Sequence, residues 1–282
     1  MYQSVLVTGA SSGIGEATAI FLAHKGFRVF AAARRKEKLE PLSGLGAGRI
    51  TPIAMDVTSE DSINEGVAEI NKKGGPIYAV VNNAGVSVMG PIEQISLNDW
   101  RWQFETNVFG VANVIRATAP AMREAGKGRI INIGSMAGRI AAPFQGVYAS
   151  SKHAIEGMSD SLRRELAPHG VKVIVIRPGF INTPFGEQEQ DGLERFAADG
   201  EPYAEQVKIF KRWHAKGHPS APPPSVVAEQ VHRALTAENP STRYTAPPKM
   251  MGALALRIFL PASLTDRIFE RMNGLSEFRK KS

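Results

Sequence analysis

Tyr148 and Lys152 stand four residues apart in Tyr148-Ala149-Ser150-Ser151-Lys152, so on a helix both side chains lie on one face, about 6 Å apart at Cβ. A free phenol has a pKa of about 10 and is roughly one-thousandth ionised at pH 7. A neighbouring ammonium lowers that value by about one to three units. A phenol so tuned can give a proton to a carbonyl oxygen or take one from an alcohol. The pair taken alone is a weak signal, because a surface lysine beside a packed tyrosine has the same spelling. Asn132-Ile133-Gly134-Ser135-Met136 adds to it by ending an apolar run and placing the Ser135 hydroxyl thirteen residues before Tyr148. Carboxyl ends of parallel strands are where open α/β sheets bind ligands, so Ser135 is expected to hold a carbonyl or hydroxyl oxygen beside the phenol.

A second constellation sits near the start of the chain. Thr8-Gly9-Ala10-Ser11-Ser12-Gly13-Ile14-Gly15 follows the apolar run Ser4–Thr8 and opens a helix-period segment. In that context the glycines permit a tight turn, let a pyrophosphate approach bare backbone, and seat the helix against the sheet. The unpaired N–H groups and the positive end of the helix dipole then favour an anion. The next strand ends Ala31-Ala32-Ala33-Arg34-Arg35-Lys36, with no carboxylate until Glu37. Where an acidic side chain would grip a ribose 2′-hydroxyl, a guanidinium can fork onto a 2′-phosphate instead. Arg34 is assigned first and Arg35 second, which makes NADP(H) the expected cofactor.

The elements that must position these residues are legible as alternating runs. Ser4–Thr8, Arg28–Ala33, Ile50–Met55, Tyr78–Asn82, Arg129–Gly134 and Val171–Arg177 read as buried strands. Helix-period stretches lie between them: Gly15–Lys25, Ser59–Asn71, Asp99–Glu124 and Tyr148–Ala167. Strand and helix in this alternation demand right-handed crossovers and helices on both faces, so the expected fold is α/β, a doubly wound parallel sheet. Thr183–Pro219 carries no clean period and is read as an insertion. Ala221-Pro222-Pro223-Pro224 leads to Ser225, expected as the N-cap of a helix over Val226–Ala237, and Arg243-Tyr244-Thr245 as the last strand. One domain over residues 1–282 is expected.

Composition removes several classes. With no cysteine among 282 residues there is no disulfide scaffold, thiolate nucleophile or cysteine-held metal centre. His214 and His218 are four apart, but Gly217 and Pro219 interrupt a helix there and no third ligand is evident, so no metal is expected. A net charge of +7 admits an acidic ligand, nucleic acid or an anionic membrane surface. No reading helix or base-stacking motif accompanies it, so nucleic-acid binding is not expected. The strand-like run at Ser4 leaves no room for a leader, and the late apolar segment Met250–Leu256 is far short of the ~20 residues that span a bilayer. A cytoplasmic location is the expectation.

The glycine loop Thr-Gly-x-x-x-Gly-x-Gly, the Tyr-x-x-x-Lys pair and Ser135 together resemble the short-chain dehydrogenase/reductase family over Val5 to about Thr183. The resemblance implies a catalytic tetrad of Asn107, Ser135, Tyr148 and Lys152, with Asn107 anchoring a water that links Lys152 to solvent. It implies that Asp56 and Val57 lie by the adenine and that Asn82, Asn83, Ala84 and Gly85 follow the fourth strand. Pro178, Gly179, Ile181 and Thr183 match the nicotinamide-carboxamide segment, and Lys152 also grips the nicotinamide ribose. Gly134 departs from the family's frequent double serine. The resemblance further implies a substrate lid over residues 184–224, where Phe185, Phe196, Tyr203, Phe210 and Trp213 cluster. Those aromatics suit an apolar alcohol or carbonyl substrate, and they equally serve to bury area.

The tail from Pro247 to Ser282 resembles the longer members acting on steroids, retinoids and other lipophilic carbonyls. Its two amphipathic helices about Pro261 could close the pocket, pack at a subunit contact or touch a membrane through Arg257, Arg267, Arg271, Arg279, Lys280 and Lys281; packing is the expectation. Relatives pair the two long helices across a dimer face, so a homodimer or homotetramer is expected. A dinucleotide sensor without turnover and a reductase of 3-oxoacyl thioesters are the alternatives to an NADP(H)-dependent oxidoreductase acting on a secondary alcohol or ketone.

Overall fold

In the computed structural model, residues 3–217, 221–252, 260–272 and 274–278 are described. Seven strands form one parallel sheet in the order β3-β2-β1-β4-β5-β6-β7. They are β1 (Ser4–Thr8), β2 (Arg28–Ala33), β3 (Ile50–Ala54), β4 (Ile77–Asn82), β5 (Gly128–Ile133), β6 (Val171–Pro178) and β7 (Arg243–Ala246). The strands are near-continuous runs of Val, Ile, Leu and Ala because both faces are covered. Val5, Val7, Val29 and Ala31 point to one face and pack under helices α1 (Gly13–His24) and α9 (Ser225–Thr236). Leu6, Phe30, Ile53 and Val80 point to the other. There they meet α3 (Glu60–Gly74), α5 (Gly110–Glu124) and α6 (Gly146–Leu166). A four-residue α2 (Glu40–Ser43) connects β2 to β3. The strand order reverses between β1 and β4, so the loops after these strands diverge and leave a crevice at their carboxyl ends.

Several boundaries differ from the sequence expectations for identifiable reasons. The long helix expected over Asp99–Glu124 starts earlier as α4 (Leu97–Phe104), because Ser96 Oγ accepts from Asp99 N and caps it. It then passes through a π-helical turn at Glu105–Phe109 before α5. Ser225 is the first residue of α9 rather than its cap. The fixed φ of Pro224, −64°, is already helical, and the Pro223 and Pro224 carbonyls accept the first helical N–H groups. Ser59 caps α3, accepting from Ser62 N.

The insertion after Thr183 is helical, as α7 (Pro184–Glu194) and α8 (Ala204–Gly217). It lacks a clean apolar period because α7 turns a glutamate, Glu189, inward along with Gly186 and Leu193. His214 lies within α8, which includes Gly217, so that glycine does not prevent a helix there; His218 falls outside the described residues. Leu193, Phe196, Val207 and Phe210 form a separate apolar cluster with Val88, Met89 and Val147. In the tail, α10 (Ala262–Met272) follows Pro261, whereas the first expected tail helix runs into residues 253–259, outside the described set.

The sheet's last crossover is tied down by one buried cation. Arg129 on β5 donates to Ala234 O at 2.5 Å and Ala237 O at 2.6 Å, the terminal carbonyls of α9, and to Tyr78 Oη at 3.0 Å. Positive charge at a helix C-terminus satisfies carbonyls that no further turn can reach. Replacing Arg129 with Met keeps much of the packing volume but orphans those carbonyls. It is expected to cost about 2–4 kcal/mol of folding stability, measured as a lower urea midpoint; an unchanged midpoint would rule out the anchoring role.

Candidate active site

The crevice is a cavity of about 550 Å³. At its β1 end the glycine loop needs its glycines for two separate reasons. Gly9 has φ +64°, and a Cβ there would stand 2.7 Å from Ala84 Cα. A Cβ on Gly15 would stand 2.3 Å from Gly9 O. Asn83 locks the same approach by donating from Nδ2 to Thr8 O and Gly9 O, while Thr8 Oγ1 accepts from the Asn83 and Ala84 amides. Ser12, before α1, is extended and makes no side-chain cap bond. The helix therefore presents first-turn amides at a wall of bare backbone, which is chemically suited to a phosphate.

Nearly all of the residues expected at a cofactor lie around this one cavity: Gly9, Ser11, Ser12, Gly13, Ile14, Arg34, Arg35, Asp56, Val57, Asn83, Ala84, Gly85, Tyr148, Lys152, Pro178, Gly179, Ile181 and Thr183. Gly15 stands behind the loop as packing. Arg34 and Arg35 are exposed at the end of β2, Asp56 follows β3, and Pro178 to Thr183 follow β6. The sheet order thus draws the carboxyl ends of five strands to one side. The donor set, with backbone amides at one end and arginines beside the end of β2, fits a phosphorylated dinucleotide.

At the other end, the residues of the expected tetrad come from three elements. Ser135 follows β5 and its Oγ accepts from Ala137 N at 3.0 Å. Tyr148 and Lys152 are adjacent turns of α6 with the lysine Nζ 5.7 Å from the phenol ring centre. Lys152 Nζ donates to Ile133 O at 2.8 Å, a carbonyl at the end of β5. Asn107 lies in the π-helical turn, is 1% exposed and does not line the cavity. Its Oδ1 accepts from Val86 N at 2.8 Å, and its Nδ2 donates to Val86 O and Ser151 Oγ. These contacts fix the segment after β4 against α6.

The electrostatics differ from the simple expectation of an ammonium acidifying its neighbour. Burial pushes the Tyr148 phenol well above its usual value, and the negative charge of Glu189 pushes it further. A hydrogen bond with Ser135 acts the other way. Lys152 is itself lowered to about 8 by burial. The spacing placed the two groups correctly. What the spacing left out is that both are desolvated by the same cavity walls, and desolvation disfavours phenolate and ammonium alike.

Three residues in and around this arrangement were missing from the sequence expectations. Gln103 is fully buried one turn before Asn107; its Oε1 accepts from Val88 N at 2.7 Å and its Nε2 donates to Val86 O at 2.8 Å. Ser151, three residues after Tyr148, receives both amides, and its spacing on α6 could have flagged it. Glu189 sits in the run Glu187-Gln188-Glu189-Gln190, which reads as a solvated face. The far wall includes Trp213 on α8 and Thr265, Ile268 and Phe269 on α10. The described part of the tail therefore closes over the cavity.

Taken together, the doubly wound sheet, the glycine loop and the Ser135, Tyr148 and Lys152 grouping define a dinucleotide-linked oxidoreductase class. The model of the short chain dehydrogenase family matches residues 3–194, and the chain belongs to this family. It is 34% identical over 271 residues to the uncharacterized oxidoreductase YbbO of Escherichia coli, covering 96% of this chain and 95% of that one. It is likewise 34% identical to an NADPH-dependent 3-dehydrocapnine reductase of Ornithobacterium rhinotracheale, covering 94% and 95%. Among solved structures it resembles a short-chain dehydrogenase/reductase from Burkholderia phymatum in complex with NAD. That match has a TM-score of 0.79 and 26% identity, and covers 91% of this chain and 93% of the other. No described helix is long and apolar enough to cross a membrane.

The depressed Lys152 pKa has a consequence for stability. The unfolded chain holds the lysine proton up to about 10.5, whereas the folded chain releases it near 8. The burial penalty is therefore present in full below pH 8 and is relieved as pH rises from 8 to 10.5. Lys152→Met is expected to be more stable than the parent at pH 7 by roughly 1–3 kcal/mol. The gap should close by pH 10.5. Urea titrations of both proteins across this range check it, and a gap that widens with pH reverses the assignment.

Proposed function

We propose that the chain is an NADP(H)-dependent oxidoreductase interconverting an apolar ketone and the corresponding secondary alcohol. The observation that carries this reading is that one cavity joins a bare-backbone phosphate loop to a buried phenol flanked by a hydroxyl and an amine. The dinucleotide, when bound, supplies the hydride. Ser135, hydrogen-bonded to the phenol, holds the substrate oxygen beside it. Tyr148 Oη carries the proton that this oxygen gains in reduction. At neutral pH Tyr148 stays a phenol, the protonation state that reduction requires, and the upward push on its pKa makes it a weaker acid. Lys152, with a pKa of about 8, can return a proton near neutrality while holding the cofactor ribose. Asn107 acts as a positioning residue through Val86 and Ser151. The described parts of the segments 184–224 and 247–282 supply the cover, with Phe185, Trp213, Ile268 and Phe269 among its walls, and these walls keep water from the reacting groups. Trp102 and Phe109, 47% and 55% exposed beside the π-helical turn, mark the face expected to pair in a homo-oligomer.

Preference for the phosphorylated cofactor rests on Arg34 and Arg35 and on the absence of a carboxylate at the end of β2. The relative named for NADPH-dependent reduction supports the same choice, and the NAD-bound neighbour shows that the fold itself leaves it open.

Two substitutions test the reading. Tyr148→Phe is expected to lower kcat by about 10²–10⁴ while NADPH still binds; near-normal turnover of the ketone would defeat the mechanism. Ala33→Asp combined with Arg34→Ala is expected to lower the ratio of kcat/KM for NADPH over NADH by about 10- to 100-fold. An unchanged ratio would remove Arg34 from the cofactor site.

A further inference from the structure

Glu189 is a carboxylate buried where a carboxylate is expensive. It is 7% exposed, lines the cavity from α7, and lies close enough to Tyr148 for its charge to act on the phenol. Its Oε1 accepts from Ser87 Oγ at 2.9 Å, and its Oε2 lies 3.2 Å from His214 Nε2. Among the described residues no lysine or arginine lies within ion-pair distance of it. Two oxygens offer about four acceptor sites, so Ser87 and His214 leave acceptor capacity. The cavity that it lines has more apolar than polar surface, with Phe185, Trp213, Met250 and Phe269 among its walls. An apolar wall does not favour an anion, and nothing in proton transfer at Tyr148 calls for a negative charge that opposes phenolate formation. A cation brought in by the ligand would satisfy the carboxylate and relieve its opposition at the same time.

We propose that Glu189 is the binding site for a protonated amine on the substrate, so that the cavity takes an apolar-chain amino ketone or amino alcohol with its ammonium group near the reacting carbon. This rests on the oxidoreductase reading for the reaction and extends it to the substrate class. The ammonium pairs with Glu189 while the substrate oxygen occupies the position beside Ser135 and Tyr148, and the chain lies along the aromatic wall. Because the pairing screens the charge that raises the Tyr148 pKa, an amine-bearing substrate is helped in the proton-transfer step as well as in binding. A ketone of the same length without the amine gains neither.

Binding separates this inference from the reaction. Calorimetric titration of the full-length protein with NADPH is made with octylammonium and with octanol at pH 7. The ammonium is expected to bind about 10- to 100-fold more tightly. The preference should fall to roughly 3-fold or less in Glu189→Gln, and Glu189→Asp, which keeps the charge, should retain part of it. Equal affinities in the parent protein, or a preference unchanged in Glu189→Gln, would overturn the proposal. A clasp that only ties α7 to His214 and Ser87 would lower Tm without altering the ligand ratio, and that result too would overturn it. Turnover of a long-chain 2-amino ketone is then set against its 2-hydroxy analogue. A binding preference with turnover of neither would refute the oxidoreductase reading and leave the amine site standing. Turnover of both at equal kcat/KM would refute the amine site alone.

Discussion

The structure depends on the contact between the loop after β1 and the loop after β4. Where Gly15 stands there is no room for a methyl group, because Gly9 O would be 2.3 Å away. Gly9 is held against Ala84 in a left-handed conformation that a side chain would strain. Asn83 bonds this contact shut through two carbonyls. The strand order makes the contact necessary, since β1 and β4 are neighbours whose connections leave in opposite directions. The same reversal opens the crevice between them. One packing constraint thus sets the start of α1 and the floor of the cavity, and places Val86, which Asn107 and Gln103 hold, beside the segment carrying Asn83.

The reacting groups are fixed from the opposite side by α6. Its first two turns carry Tyr148, Ser151 and Lys152 inward. Each is tied to a different element: Ser151 to the π-helical turn and α4, Lys152 to the end of β5, and Tyr148 to Ser135. A π-turn re-aims side chains by inserting one extra residue into the helical repeat. Gln103 and Asn107, four residues apart on successive turns, both bond the Val86 backbone. Geometry fixed from three directions is what a site needs if its hydrogen bonds are not to be reorganised during the reaction.

Much of this was legible in the sequence. The alternation of apolar runs and helix-period segments gave the sheet within a residue or two at most boundaries, because parallel strands buried on both faces have few other spellings. The glycine loop, Arg34, Arg35, Ser135, Tyr148 and Lys152 could be picked out because each follows a strand or shares a helix face at a fixed spacing. What was not legible came from long-range burial. The helical insertion was hidden because Glu189 interrupts its apolar stripe. Gln103 and Ser151 look like ordinary surface residues until the fold encloses them. A pairwise spacing argument gives the wrong sign for the phenol because it counts one neighbouring charge and omits desolvation, the larger effect for a buried group.

Two buried charges of opposite sign therefore flank one phenol without pairing with each other: Lys152 turned toward the Ile133 carbonyl and Glu189 toward Ser87 and His214. Joined directly, they would largely neutralise one another, and the field at Tyr148 would be weak and insensitive to ligands. Kept apart, each stays responsive to what enters on its own side of the cavity. The apolar covering from α7, α8 and α10 keeps the local dielectric low, so a charge introduced by a ligand is felt at the phenol instead of being screened by water. The cover and the separated charges thus serve the same end. On the proposed reading, a cation paired with Glu189 lowers the Tyr148 pKa, an effect that fuller solvent exposure of the same residues would blunt.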